Sequence, residues 1–476
     1  MSKFKGKLLP HQEEAKKKYE QSGAILLYHG LGSGKTITSI GSASGDKVVA
    51  VVPASLRGNF GKEVARFDDL KKFDITSYNK FIKAWPKGDT LILDEPQRIG
   101  RHGTQTSQSI LDAAKHYNKR ILLTGTPATN RPSELAPIIR TLNPEAIDIP
   151  LDQKEFENRF YNEKYDSVSF LNRLRGIRPG VTISPKNKEI IRKAIKGMVH
   201  YYEPSKENYP DRIDEIKEVV ASPEQVDYYK YVTRKANPVV ALKVKMNLPL
   251  SKSESKQLNA FMTAARQVSN TTKPFGGKEE VSPKIKQIVE DFNKEYEKNK
   301  SHRGLIYSNY IKSGIDEIAN EMDKNNIPYV KFIGGMSDKE KQKAVDAYNN
   351  GEVPAILVSG AGAEGLDLKK TRSIQIAEPH WNANRIEQVI GRGIRYKSHE
   401  GLPKNEKKIK VTKYQTVLSK NLIQKLFDKP ADTSSDQYLE NLSKDKQKIL
   451  DEFLDILKEE GVQKTAGTLF QFVKIR

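Results

Sequence analysis

The chain has no cysteine among its 476 residues. Disulfide cross-links and thiolate-bound zinc are thereby excluded, and the eight histidines show no paired ligand spacing, so no structural metal is expected. No stretch reaches the roughly 18 to 20 apolar residues that a membrane-spanning helix needs, and Met1 to Gln21 lacks the apolar centre of a secretory leader. The expectation is a soluble, intracellular (cytoplasmic) monomer without a membrane partner. Acidic residues are in deficit: 60 Asp and Glu stand against 81 Lys and Arg, a formal charge of +21. That excess suits a polyanion, because each neutralised phosphate releases condensed counterions; a solvated lysine-rich surface has the same composition. Repeats and low-complexity runs are absent.

What the chain does have is the turn His29-Gly30-Leu31-Gly32-Ser33-Gly34-Lys35-Thr36, lying between the apolar run Ala24 to Tyr28 and a helix that begins near Thr36. Glycines let the backbone approach a polyphosphate, and the N–H groups of Gly32, Ser33 and Gly34 with the helix N-terminus make an anion cradle. Lys35 is placed to neutralise β- and γ-phosphates and Thr36 to hold magnesium, which makes ATP and Mg2+ the expected cofactors. His29 stands where the strict pattern has glycine. Short β-branched strands then alternate with helices, the pattern of a parallel sheet whose ligands gather at the carboxyl ends of the strands. Leu91-Ile92-Leu93-Asp94-Glu95-Pro96-Gln97 puts two carboxylates at one such end, Asp94 for the metal and Glu95 for the attacking water; alone, the pair would read as a solvated turn, and its weight comes from standing about 60 residues after the glycine-rich turn. Thr124 to Pro127 ends another strand, as a polar loop or a plain tight turn.

From about 143 to 301 the alternation fades, and the spacing predicts helices over 152–174, 187–202, 223–240 and 253–269. Tyr201-Tyr202 and Tyr228 to Tyr231 interleave aromatics with basic residues, for a core or for stacking on bases. Strands and helices resume from Gly304 without a second cradle. There, Ser359 to Asp367 ends a strand and Gln388 to Arg395 reads as a helix with Arg392 and Arg395 on one face, either a solvated basic face or a pair reaching a γ-phosphate. The predicted units are 1–142, 143–301, 302–428 and 429–476. The last carries an amphipathic helix over 438–459, for packing on the core or for a protein partner.

The ordered set resembles superfamily 2 helicase-like ATPases, and among them the Swi/Snf-type duplex-DNA translocases. The stretches that carry the resemblance are Gln12, Gly32 to Thr36 (motif I), Pro53 to Leu56 (Ia), Ser77-Tyr78 (Ib), Asp94 to Gln97 (motif II), Thr124 to Pro127 (motif III), Ile306 to Ser308 (motif IV), Gly362 to Leu368 (motif V), Glu378 to Asn382 and Gln388 to Arg395 (motif VI). Two α/β RecA-like parallel-sheet lobes with a helical insertion and a C-terminal helix are implied. So is adenine reading by Gln12, further nucleotide contacts from Gly365 and Asp367, and catalysis by Lys35, Asp94, Glu95, Gln388, Arg392 and Arg395. Nucleic-acid contacts are implied at Pro53, Ser55, Arg57, Ser77, Tyr78, Thr126, Ser308, Gly335 and Trp381. Motif II departs from the pattern, ending Pro-Gln where the family usually has Ala-His. The compact form is similar to helicase-like proteins of phages and large DNA viruses. The expected activity is ATP-driven translocation on duplex DNA; the alternatives are an RNA helicase or transcription-associated remodeller, and a non-catalytic nucleic-acid-binding scaffold.

Overall fold

Runs such as Val48-Val49-Ala50-Val51-Val52 have no polar side to turn outward, so they need a sheet covered on both faces. The computed structural model describes residues 4–30, 32–100, 105–165, 181–204, 209–235, 237–245, 252–360, 366–380, 382–419 and 433–462. In it such runs build two parallel sheets. The chain divides into two compact units: Met1–Asn162, Pro185–Pro204 and Lys448–Arg476 form unit 1, and Glu163–Ser184 and Ser205–Gln447 form unit 2.

In unit 1, helix α1 (Pro10–Ser22) precedes strand β1 (Ala24–His29), and helix α2 (Lys35–Ser42) follows the glycine-rich turn. Pro10 in the first turn suits an N–H that would have no partner there, and Gly23, at φ 70°, takes the left-handed conformation that ends α1. The strands β2 (Val48–Val52), β3 (Phe73–Ser77), β4 (Thr90–Asp94) and β5 (Lys119–Thr124) follow. Next, β6 (Tyr161–Tyr165) and β7 (Val181–Pro185) form a two-stranded sheet of their own, and β8 (Val199–Tyr202) joins the large one, whose order is β3-β2-β4-β5-β1-β8. β1, β2 and β4 are buried at every position, packed with Tyr19, Ile40, Phe60 and Val64.

Unit 2 holds β9 (Asp211–Val220), β10 (Gly304–Ser308), β11 (Tyr329–Phe332), β12 (Ala355–Ser359), β13 (Ser373–Ile376) and β14 (Lys408–Val417), ordered β11-β12-β10-β13-β14-β9. Leu305, Tyr307, Ile356 and Val358 face one core, and Ile306, Leu357, Ile288 and Phe292 the other. Among the described residues no helix is long and apolar enough to cross a membrane.

The middle segment differs most from expectation. The helix expected over 152–174 is Gln153–Phe160, capped by Asp152, whose carboxylate accepts from Lys154 and Glu155 N–H; β6 follows, and 166–174 lie outside the described residues. The helix over 187–202 stops at Ile195, and Gly197 at φ +73° turns the chain so that Val199–Tyr202 enters the unit 1 sheet beside β1. Asn237-Pro238 splits 223–240 into Pro223–Lys235 and Pro238–Lys245. The helix over 253–269 runs Lys252–Asn270. Tyr228 and Tyr229 pack against Val232, Phe261 and Met262, while Tyr231 is exposed with Lys235 Nζ 4.4 Å above its ring. The C-terminal helix is Ser435–Gly461 and buries Tyr438, Leu439, Leu450, Phe453 and Leu457, which is packing on the body of the protein.

Candidate functional site

The site of unit 1 is assembled at the carboxyl ends of β1, β4 and β5. After His29 the chain turns through Gly32 (φ +74°) and Gly34 (φ +77°), a backbone that side chains resist. A Cβ on Gly34 would also stand 2.5 Å from Gln12 Nε2. Gln12 is buried; its Oε1 accepts from Leu9 N–H (2.8 Å), and its Nε2 donates to the carbonyls of Ser33 (3.4 Å) and Gly34 (3.3 Å). His11 Nε2 lies 3.0 Å from the Ser33 carbonyl. Thr36 is the second residue of α2.

Lys35 Nζ donates to the carbonyls of His29 (2.9 Å) and Gly30 (3.1 Å). Burial pushes the ammonium pKa down, and the charges of Glu95 and Asp94 oppose that shift. Asp94 is raised to about 7, first by burial and then by Glu95, with Lys35 pulling the other way. Glu95 sits in the left-handed region at φ 56°, and its N–H donates to Leu123 O (2.9 Å). Two carboxylates and an ammonium beside a glycine-rich turn at a helix N-terminus could hold a magnesium–polyphosphate. Ser33, buried with its hydroxyl unpartnered, fits the same ligand.

Motif II is tied to motif III. Gln97 Nε2 donates to the Glu95 carboxylate, the Thr124 hydroxyl donates to Gln97 Oε1 (2.9 Å), and Thr126 N–H donates to Thr124 Oγ1 (2.9 Å). The Pro-Gln ending therefore keeps a link between the strand ends of β4 and β5, made by an uncharged amide. Sequence reasoning named Gln97 only as a departure; its place two residues after a carboxylate was the available signal.

The expected nucleic-acid residues fall into several settings. Pro53 is buried at the end of β2, before the turn Ala54–Leu56 that carries Ser55. Arg57 NH2 donates to Ile75 O (3.3 Å), and Ser77 stands at the head of helix Tyr78–Ala84. Tyr78 is buried, and its hydroxyl donates to the Asp94 carbonyl (2.8 Å), so it braces motif II instead of facing solvent. Thr126 lies half-buried on the motif III loop, and Gly335, at φ +91°, is in open space after β11.

In unit 2, Ser308 is fully buried and donates to both oxygens of Glu378 (3.0 and 3.2 Å), to which Asn270 Nδ2 also donates (3.1 Å). That hydroxyl is spent on internal bonds. Arg266, buried in the helix Lys252–Asn270, donates to Pro379 O (2.6 Å) and lies 5.3 Å over the Tyr310 ring. Sequence reasoning missed this network, although Glu378 stands only two residues past the strand β13. Gly365 and Trp381 lie outside the described residues.

The helix with Gln388 and Arg392 spans Ala383–Gly393. Arg395 thus lies beyond it, against the expectation of two arginines on one helical face. A Cβ on Gly393 would stand 3.0 Å from Ile374 Cδ1, so the backbone there packs closely on β13 and the helix ends. Arg395 instead donates to Leu366 O (2.7 Å) and pairs with Asp367 at 3.4 Å, binding motif VI to motif V. Gln388 is exposed and Arg392 half-buried.

Two family models match: the SNF2-related domain over residues 74–273 and the helicase conserved C-terminal domain over 284–397. A protein of Acanthamoeba polyphaga mimivirus, named as an ATP-dependent RNA helicase, is 30% identical over 468 residues, covering 95% of this chain and 97% of that one. The chain belongs to the Snf2-type helicase-like ATPases of superfamily 2. The termination factor NPH-I homologue of African swine fever virus is 24% identical to this Snf2-type ATPase, over 93% of this chain and 76% of its own. Among solved structures, the SWI2/SNF2 ATPase core of Sulfolobus solfataricus in complex with dsDNA is 17% identical, covering 97% of this chain and 98% of that one with a TM-score of 0.36.

Proposed function

We propose that this Snf2-type ATPase hydrolyses ATP to move along nucleic acid, with duplex DNA as the track. The observation that carries the reading is the Lys35, Asp94, Glu95, Gln97 and Thr124 constellation, in which the carboxylate assigned to the water is linked through Gln97 to Thr124. ATP with magnesium, when bound, supplies the phosphoanhydride and the metal charge that organises its phosphates. The N–H groups of Gly32, Ser33 and Gly34 cradle those phosphates, Lys35 offsets their charge, and Thr36 and Asp94 hold the metal. Glu95 orients water and accepts its proton, with Gln97 fixing the carboxylate in register with Thr124. By the family resemblance Arg392 is the residue assigned to the charge that develops on the γ-phosphate, and Arg395, paired with Asp367, ties motif VI to motif V. The SNF2-related domain model and the +21 charge support a duplex track held through its phosphates.

A second reading, RNA as the track, is favoured by the name of the mimivirus relative. The deciding experiment is steady-state phosphate release with no polymer, single-stranded DNA, duplex DNA or RNA, together with displacement of a third strand from a DNA triplex. Duplex DNA is expected to stimulate turnover most and to support displacement. Lys35→Ala and Arg392→Ala should each lose about a hundredfold or more in kcat while still binding duplex DNA. Full turnover in Lys35→Ala would overturn the cradle assignment, and stimulation by RNA alone would replace the first track with the second.

A further inference from the structure

His29 has no part in the ATP-binding set proposed above. It occupies a place in the turn usually given to glycine, and it is completely buried. Its carbonyl holds the Lys35 ammonium, and its ring Nε2 lies 2.7 Å from Nδ1 of His200. His200 is itself buried, on β8, and the backbone pairing of β1 with β8 sets His29 opposite Tyr202 and His200 opposite Leu27. On its far side His200 Nε2 faces Glu14 Oε2 of α1 at 3.6 Å. An ionised Glu14 favours the tautomer with the proton on His200 Nε2, which leaves Nδ1 as acceptor and makes His29 Nε2 the donor. Burial holds both imidazoles neutral, and the charge of Lys35 further disfavours a proton on His29.

We propose that His200 is a positioning residue of the nucleotide site: its ring fixes His29, and through His29 the carbonyl from which Lys35 is released to the phosphates. The inference rests on the ATP-binding reading above and adds to it a residue of β8, outside every motif of the first sheet. The pairing of β1 with β8 already holds the His29 backbone, and the ring contact adds a side-chain anchor at the point where the chain leaves the strand for the turn. The Gly30 N–H donating to the Tyr202 carbonyl (2.8 Å) ties the next residue to the same strand.

The test compares His200→Asn with His200→Leu, because an asparagine amide oxygen can stand where Nδ1 does whereas leucine has no acceptor. The probe is a fluorescent ATP analogue with magnesium, titrated at fixed pH beside steady-state kinetics and thermal melting. His200→Leu is expected to weaken analogue binding and raise the KM for ATP about tenfold, the worth of one buried hydrogen bond, with kcat at saturating ATP within about threefold of wild type. His200→Asn should restore most of the affinity. Wild-type affinity in His200→Leu overturns the proposal. So do equal losses in both variants, which would mean that ring volume and not the acceptor matters. If His200→Leu does not fold, Glu14→Lys carries the same test from a part-exposed helix position: the reversed charge opposes the required tautomer, so affinity should fall, and unchanged affinity overturns the proposal. Failure of the wild-type chain to bind the analogue at all would instead sink the ATP-binding reading.

Discussion

His302 and His380 share with His29 and His200 a property that acid should reveal. Burial lowers the pKa of His302 to about 4 and, with the nearby charges of Arg266 and Arg385, that of His380 to about 4 as well. A folded-state value below the ordinary one near 6.5 means that the unfolded chain takes the proton first. Their contribution is therefore complete above about pH 6.5 and is lost as the pH falls from there towards 4, at up to ~1.4 kcal/mol per pH unit for each group. Thermal melting at pH 7.5, 6.0 and 5.0 should show a falling Tm. His302→Gln, whose amide can meet the Ser373 hydroxyl now 2.8 Å from His302 Nε2, should flatten that fall. A slope identical to wild type would remove His302 from the account. The same side chains show why single residues are hard to read in sequence. Tyr78 and Ser308 were expected at nucleic acid because of their place in motifs, but a hydroxyl bonded inside to Asp94 or Glu378 is known only once the neighbour is known.

The loop between β4 and the turn Pro96–Ile99 is where local sequence and distant contact meet. An apolar strand ending Asp-Glu-Pro was legible as a candidate site, since carboxylates placed there stand at the ligand edge of a parallel sheet. The partner of Gln97 was not, because Thr124 is brought near by the pairing of β4 with β5. Gln97→Ala should free Glu95 from Thr124. We expect nucleic-acid-stimulated kcat to fall about tenfold, in the range of a lost orienting hydrogen bond at a catalytic group, with the KM for ATP nearly unchanged. An equal loss with and without polymer would make Gln97 a support for hydrolysis alone; no loss would remove it from both. β9 shows the reverse case. Asp211 to Val220 is so charged along its length that it gives no strand signal, and it is extended because it pairs with β14 along its whole length, from Lys408 with Asp211 to Val417 with Val220. An edge strand exposed on its surface can carry Asp, Arg, Glu and Lys as a buried strand cannot.

Across the whole molecule, chain order and spatial order part company. Residues from three separated stretches make up unit 1, and the last includes the second part of helix Ser435–Gly461. Phe453 of that helix is completely buried, with its ring centroid 6.2 Å from Phe156 and 5.9 Å from Tyr161. Arg192 and Glu459 add an ion pair at 2.6 Å, part-exposed and of small weight. Phe453→Ala should destabilise unit 1 by about 3–5 kcal/mol through the cavity left among aromatic rings. Urea unfolding followed by tyrosine fluorescence measures this, and a loss under about 1 kcal/mol would show that the C-terminal segment is dispensable to the fold.

By itself, the sequence determined the two parallel sheets, the glycine-rich turn at Gly32 to Thr36 between strand and helix, the place of Asp94 and Glu95 at a strand end, and the family. Each of these is written in neighbouring residues: β-branched runs of strand length, glycines where φ must be positive, charges set at the end of an apolar strand. Only the tertiary structure decided that β8 lies against β1, that His200 meets His29, that Gln97 meets Thr124, that Arg395 falls past its helix onto Asp367, and that the last helix packs on Phe156. Those contacts join residues between 27 and about 300 positions apart. Local periodicity reports which side of an element is apolar, whereas the partner of a buried polar group depends on which strands and helices the closing of the core brings together.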